Sequence, residues 1–184
     1  MLVLGVDPGT RHLGWGVVDV AGSRLTHVAH GVIHTDEKAH LGARLLHIDE
    51  ALRVVIETHR PREAGVEAIF FAKDASAAAK LGHARGVVLL ALQRAGVGIF
   101  EYPPASVKRA VAGGGRAEKS QVAMMVRAIL RLTELPRADA ADALAIAITH
   151  VHAAPARRIA ALGAVAHAAR PIVTSAMRAA AGRR

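Results

Sequence analysis

The sequence predicts an α/β fold in which a mixed sheet is flanked by helices, and two patterns carry that prediction. Short apolar runs bounded by glycine, proline or charged residues recur at residues 2–6, 13–18, 65–70 and 97–102, as buried strands do. Apolar residues return every three or four positions over 43–60, 74–94, 117–132 and 139–152, the period of helices with one face in a core. Three strand-like runs come first, joined by short turns, and strands and helices then alternate. The order βββαβαβαα reads as a β-meander extended by α/β units.

Taken in order, Leu2 to Val6 is apolar throughout and delivers Asp7 to a Pro8-Gly9 turn. The chain returns through Leu13-Gly14-Trp15-Gly16-Val17-Val18, with Trp15 expected to pack, and residues 24–35 supply a third strand. Leu45, Leu46, Ile48, Leu52, Val55 and Ile56 mark a helix over 43–60 that Pro61 stops. The strand at 65–70 carries Glu67 in its middle. An alanine-rich helix over 74–94, with Gly82 and Gly86 as candidate breaks and Asp74 as a cap, ends at Gly96. Residues 97–102 form a fifth strand closed by Pro103-Pro104. The segment 105–119 sets Lys108, Arg109, Arg116 and Lys119 around the triplet Gly113-Gly114-Gly115. Val122, Met125, Val126, Ile129 and Leu130 line the next helix. Leu135-Pro136 breaks the chain before the last strong helix, 139–152. Beyond Pro155 the apolar period weakens, so residues 1–154 are expected to be one domain and 155–184 a flexible basic Ala/Arg-rich tail.

A chain of 184 residues is long enough for one substantial core. It has no cysteine, which excludes disulfides and thiolate metal sites and leaves oxygen or imidazole ligands for any ion. None of the eleven histidines falls at a metal-ligand spacing, and His150 and His152 are expected at a helix end or in solvent. No stretch approaches the roughly 20 apolar residues that span a bilayer, and the five-residue apolar start is no secretory signal. A cytoplasmic location is therefore expected. Of the net charge of +9, six positive charges lie in 155–184, leaving +3 for residues 1–154. Such a balance favours polyanions without proving a nucleic-acid partner.

Four acids stand in apolar sequence within this basic chain. Asp7 ends a core strand, where stripping water from a carboxylate costs several kcal/mol unless a cation or hydrogen bonds compensate. A turn aspartate bonding its own backbone is the competing reading. Glu67 meets the same solvation problem with no turn to explain it. Asp139 and Asp142 stand three apart at a helix start, on one face; capping accounts for Asp139 and fits Asp142 less well. Clustered acids raise one another's pKa values unless a cation joins them. Hard divalent ions such as Mg²⁺ or Mn²⁺ take oxygen ligands and keep waters for chemistry; a pair of them supports phosphodiester cleavage, and one ion beside a structural carboxylate is the alternative.

Five segments in order over about residues 2–152 resemble the RuvC family of Holliday-junction resolvases. They are Gly5-Val6-Asp7-Pro8-Gly9-Thr10 with Gly14-Trp15-Gly16, Glu67 leading into Phe70-Phe71-Ala72-Lys73, Lys80-Leu81-Gly82-His83-Ala84-Arg85-Gly86, Pro104 to Lys108 through Glu118 to Val122, and Asp139-Ala140-Ala141-Asp142-Ala143-Leu144-Ala145. The resemblance implies an RNase H-like (retroviral-integrase superfamily) mixed five-stranded sheet flanked by helices. It also implies a homodimer that makes paired Mg²⁺-dependent nicks in four-way DNA junctions, leaving 5′-phosphate and 3′-hydroxyl ends, with RuvA and RuvB as partners in the bacterial cytoplasm at the nucleoid. By position, Asp7, Glu67, Asp139 and Asp142 match the family's catalytic and metal-holding carboxylates, for two Mg²⁺ per site with Mn²⁺ able to substitute. Lys108 and Lys119 match its active-site lysines. Phe70 matches an aromatic near unstacked junction bases; Phe71 is its neighbour on the strand, and of two adjacent residues one faces DNA while the other packs. Lys73, Lys80, Arg85, Arg109 and Arg116 join Lys108 and Lys119 as expected DNA contacts. The resemblance carries nothing onto the tail.

Two other readings remain open on sequence. A junction-binding module without catalysis would not need four intact acids. An actin-like or sugar-kinase-like ATPase also uses an acidic Gly-Thr hairpin, but it needs two lobes and this length supplies one.

Overall fold

The computed structural model describes residues 1–68 and 75–168. Its strands are β1 (Leu2–Asp7), β2 (His12–Ala21), β3 (Arg24–His34), β4 (Glu63–Glu67) and β5 (Gly98–Tyr102). Its helices are α1 (Leu41–His59), α2 (Ala75–Arg94), α3 (Pro104–Ala112), α4 (Lys119–Leu130) and α5 (Ala138–Ala168). Met1–His152 forms one compact unit and Ala153–Arg184 another; the sheet and all four acids belong to the first. Among the described residues no helix is long and apolar enough to cross a membrane.

The five strands form one mixed sheet in the order β3-β2-β1-β4-β5. β1 pairs antiparallel with β2, and β2 with β3. β4 runs parallel to both β1 and β5. Side chains alternate between the faces of a strand, and here the two faces carry different residues. One presents Leu4, Val6, Leu13, Val17, Ala64 and Val66, packed in a single buried cluster with Ile48, Leu52 and Ile56 of α1 and Ala84, Val88, Ala91 and Leu92 of α2. The other presents glycine to α5. A Cβ on Gly5 would lie 1.9 Å from the Ala143 carbonyl oxygen, and one on Gly14 1.9 Å from that of Asp139. Only hydrogen in those places lets the helix lie against the middle of the sheet, and Ala143–Ile148 of α5 are buried as a result.

Several expectations shift in the structure. β4 ends at Glu67, which puts that acid at the strand's edge and not in its middle. α2 runs without a break through Gly82 and Gly86. The segment after Pro103 holds a helix that periodicity does not reveal: α3 starts with Pro104 at its first position and closes on Gly113 in the left-handed conformation (φ 77°), a start and a stop that each residue favours. Asp139 lies inside the first turn of α5, and the helix's first backbone bond runs from the Ala141 N–H to the Arg137 carbonyl, so Asp139 is not the N-cap. α5 also continues past Pro155 to Ala168, into the stretch read from sequence as the basic tail; alanine is the strongest helix former. Residues 169–184 lie outside the described residues.

Candidate active site

Strand register aims two of the four acids at one place. Gly65 abuts Ile146 of α5, as Gly5 abuts Ala143, and two residues further along each parallel strand stand Glu67 and Asp7. A period of two keeps them on the same α5-facing side. β1 and β4 are neighbours, so both carboxylates emerge together at the strands' C-terminal ends, where open α/β sheets bind ligands. Asp7, Glu67 and Asp142 line a cavity of ≈ 360 Å³ with Lys108 and Lys119, closed by Pro104, Val107, Val122 and Ile146.

Each wall has a local cause. The turn after Asp7 is pinned from outside the hairpin: the Thr35 hydroxyl donates to the Thr10 carbonyl at 2.7 Å, and the Arg44 guanidinium of α1 donates to the same carbonyl at 3.0 Å and to the Thr35 hydroxyl at 3.2 Å. Glu67 is backed by Arg85 of α2, whose Nε donates to the Glu67 carbonyl at 3.4 Å and whose guanidinium pairs with Glu101 of β5. Only 16% of the Arg85 side chain is exposed; it braces the backbone that carries Glu67. Gln121 accepts the Glu118 N–H at 2.9 Å and fixes the first turn of α4. That turn presents Lys119, whose ammonium reaches Asp142 at 2.9 Å. α3 is held by buried Val107 and Val111, one turn apart, and so turns Lys108 to the cavity.

The electrostatics of the cluster are those of acids short of positive charge. Asp7 is pushed up from 3.8 to about 8, first by burial, then by the neighbouring charges of Glu67 and Asp142, with Lys119 opposing. Glu67 is raised for the same leading reason, burial, followed by Asp142; Lys119 and a hydrogen bond with the Asp7 side chain pull the other way. The bond to Asp142 and its charge hold Lys119 above the usual lysine value, so it stays cationic. An oxygen-only donor set that forces one of its carboxyls to keep a proton fits a hard divalent cation, which would replace that proton. Among the described residues no three acids meet at one metal-sized point: Asp142 is turned to Lys119. Asp139 does not line the cavity, and its charge is the smallest of the influences on Asp7.

Of the other expected DNA contacts, Lys80, Arg109 and Arg116 are exposed on α2, α3 and the loop before α4. Phe70, Phe71, Lys73 and the expected cap Asp74 lie outside the described residues. His150 departs furthest from expectation. It is not solvated: 1% exposed, it bonds the Tyr102 hydroxyl at 3.0 Å and Glu63 at 2.6 Å. It thus ties α5 to β4 and β5 beneath the site. His152 is exposed, with Nδ1 3.3 Å from the Ala110 carbonyl. Trp15 packs as expected, against Gly31 and the His59 ring. Arg44, Arg85 and His150 carry no local sequence signal for these jobs, because each acts across long stretches of chain.

Residues 3–150 match the family model described as crossover junction endodeoxyribonuclease RuvC. A Sorangium cellulosum protein of that name is 61% identical over 173 residues, 93% of this chain and 97% of the relative. One from Caulobacter vibrioides is 51% identical, over 85% of this chain and 92% of the relative. Among solved structures, Thermus thermophilus RuvC in complex with a Holliday junction substrate superposes with a TM-score of 0.79 at 43% identity, covering 84% of this chain and 94% of that one.

Proposed function

The chain belongs to the RuvC family of crossover junction endodeoxyribonucleases, with its RNase H-like fold, and from that premise we propose that it resolves four-way DNA junctions by paired symmetric nicks, using Mg²⁺ held by Asp7, Glu67, Asp139 and Asp142. The observation that carries the catalytic part is the convergence of Asp7, Glu67 and Asp142 with Lys108 and Lys119 on one cavity. When bound, divalent ions supply an activated water and charge neutralisation at the leaving 3′-oxygen. The chain's own groups do the rest. Asp7 and Glu67 present oxygens from two rigid adjacent strands, so the donor pair is fixed before substrate arrives. Lys119 stays cationic and stands beside Asp142, where it can stabilise negative charge developing on the scissile phosphate; Lys108 faces the same space from α3. Val107, Val122 and Ile146 exclude bulk water from one side and strengthen each of these interactions.

The nuclease unit is read as residues 1–154, acting in the bacterial cytoplasm as a homodimer that sets two such sites on opposing strands of the junction, with RuvA and RuvB as partner proteins. DNA affinity is assigned to basic contacts, among them Lys80, Arg109 and Arg116, while the acids serve chemistry. The test is cleavage of a synthetic four-way junction set against a linear duplex of the same sequence, with Mg²⁺, Mn²⁺ or EDTA. Paired nicks confined to the junction and dependent on the divalent ion are expected. Tight junction binding without nicking would leave a binding module, and nucleotide binding without junction affinity would favour an ATPase.

A further inference from the structure

A second polar cluster stands beside the acids on the same face of the sheet. In β2, His12 is two residues before Gly14, so it shares the α5-facing side; in β3, His34 lies directly opposite His12. Gly14 pairs with Asp7. One strand spacing across and two residues along put the His12 and Asp7 backbones about 8 Å apart. Arg137, immediately before α5, closes the group from the helix side. All three residues are exposed.

The hydrogen bonds within the cluster have a direction. A guanidinium can only donate, so the Arg137 contact at 3.3 Å makes His34 Nε2 an acceptor. A neutral His34 then carries its proton on Nδ1, and that proton is directed to His12 Nδ1 at 2.9 Å. His12 is left with its own proton on Nε2. The chain Arg137 to His34 to His12 therefore ends in an N–H donor polarised by a full positive charge two bonds behind it. A cation would meet Arg137's repulsion here; an anion meets aligned donors. The acids that follow His34 are engaged elsewhere: Asp36 accepts the Lys38 N–H at 2.9 Å, and Glu37 pairs with Arg11 at 3.5 Å.

We infer that His12, backed by His34 and Arg137, contacts a backbone phosphate of the cut DNA strand one or two nucleotides from the scissile phosphate. The inference rests on the resolvase reading. It makes the His12–His34–Arg137 group a positioning device: it fixes which phosphate can reach Asp7 and Glu67, and it touches no reacting atom.

The test uses the full chain and a synthetic four-way junction, bound in EDTA over a series of salt concentrations. Arg137→Ala and His12→Ala should each weaken binding roughly 3–10-fold; Arg137→Ala, which removes the positive charge behind the donor, should also lower the salt slope by about one per subunit, while His12→Ala, which removes a neutral N–H, should leave the slope nearly unchanged. His12→Asn, which keeps a side-chain N–H, should recover most of the loss. Uncharged methylphosphonates placed singly near the cut should weaken the unmodified protein at one position within two nucleotides, and His12→Ala should be indifferent to that substitution. Variants with unaltered affinity, or a methylphosphonate that costs both proteins equally, would overturn the contact. If the unmodified protein fails to cut the junction with Mg²⁺, the resolvase reading falls instead, whereas cutting with unaffected variants overturns this contact alone.

Discussion

Replacing Asp7 by asparagine should stabilise the metal-free protein at alkaline pH while abolishing cleavage. The carboxyl's pKa rises from 3.8 to about 8 on folding, chiefly through burial and then through Glu67 and Asp142. The folded state thus holds a proton that the unfolded chain has released. Where the native state binds more protons than the unfolded one, stability falls as pH rises, here between about pH 4 and pH 8. At about 1.4 kcal/mol per pH unit, four units set a ceiling near 5–6 kcal/mol. Glu67 can take part of the shared proton and water can enter the open side of the cavity, so about half of that is expected. Asp7→Asn removes the ionisation and leaves an amide able to donate to Glu67. At pH 8 in EDTA the variant should therefore be more stable by about 2–3 kcal/mol, a rise in melting temperature of roughly 5–10 °C for a chain of this size, and the gap should close towards pH 5. Mg²⁺ or Mn²⁺ should raise the melting point of the unmodified protein and not that of the variant. Thermal melts from pH 4.5 to 9, with and without ion, measure all of this. Coincident melts at pH 8 in EDTA would refute the argument that Asp7 is a strained acid awaiting a cation.

Three further outcomes are set by the geometry. Lys119→Met should slow junction cleavage about 10²–10³-fold, the usual cost of removing one preorganised charge from a transition state, with junction affinity changed less than about threefold; single-turnover cleavage beside a binding titration separates the two. Gly14→Ala puts a methyl 1.9 Å from the Asp139 carbonyl oxygen, so α5 must shift off the sheet; a loss of roughly 2–4 kcal/mol by urea unfolding is expected, together with loss of cleavage. His150→Ala removes the buried bonds to Tyr102 and Glu63 and should cost about 2–4 kcal/mol, again read by urea unfolding.

The parts of this structure legible in sequence are those whose cause is local. The apolar run at 2–6, the helical period at 43–60 and the stop at Pro61 each depend on neighbours a few residues away, and β1 and α1 form where those signals stand. The acids are legible for a related reason: a carboxylate in apolar sequence is a local contradiction, and Asp7, Glu67 and Asp142 share one cavity. α3 escapes a reading by periodicity although its end signals are present, because Pro104 reads as the close of β5 when it is the first residue of a helix. Glu67 looks interior to its strand because apolar sequence continues past it, yet ladder pairing with Tyr102 of β5 ends there. Tertiary geometry sets what the sequence hides: Arg44 on the Thr10 carbonyl, Arg85 behind Glu67, and His150 beneath both strands. These charged or polar groups reach their partners across 18 to 87 residues of chain.

The glycines explain why one arrangement serves both stability and chemistry. Gly5, Gly14, Gly16 and Gly65 would each weaken a strand considered alone, since glycine loses the most freedom on folding and packs nothing. Their gain is the approach of α5, whose atoms touch the sites of their missing Cβ atoms. That approach carries Asp142 down to the sheet surface, within reach of the cavity that Asp7 and Glu67 share. A larger residue at any of the four would be ordinary strand chemistry and would lift the third acid away from the first two. Burial leads the causes of the strain on Asp7, ahead of the charges of Glu67 and Asp142, and the close packing that buries Ala143–Ile148 lies on the same face of the sheet. Acids held this way are short of positive charge, and among the described residues the basic side chains that line the cavity are Lys108 and Lys119, of which Lys119 is already bonded to Asp142. Binding a divalent ion should therefore tighten the packing of α5 on the sheet, so amide exchange over Ala140–Ile148 should slow on adding Mg²⁺ and stay unchanged in Asp7→Asn; equal slowing in both proteins would separate ion binding from the helix and defeat this account of the glycines.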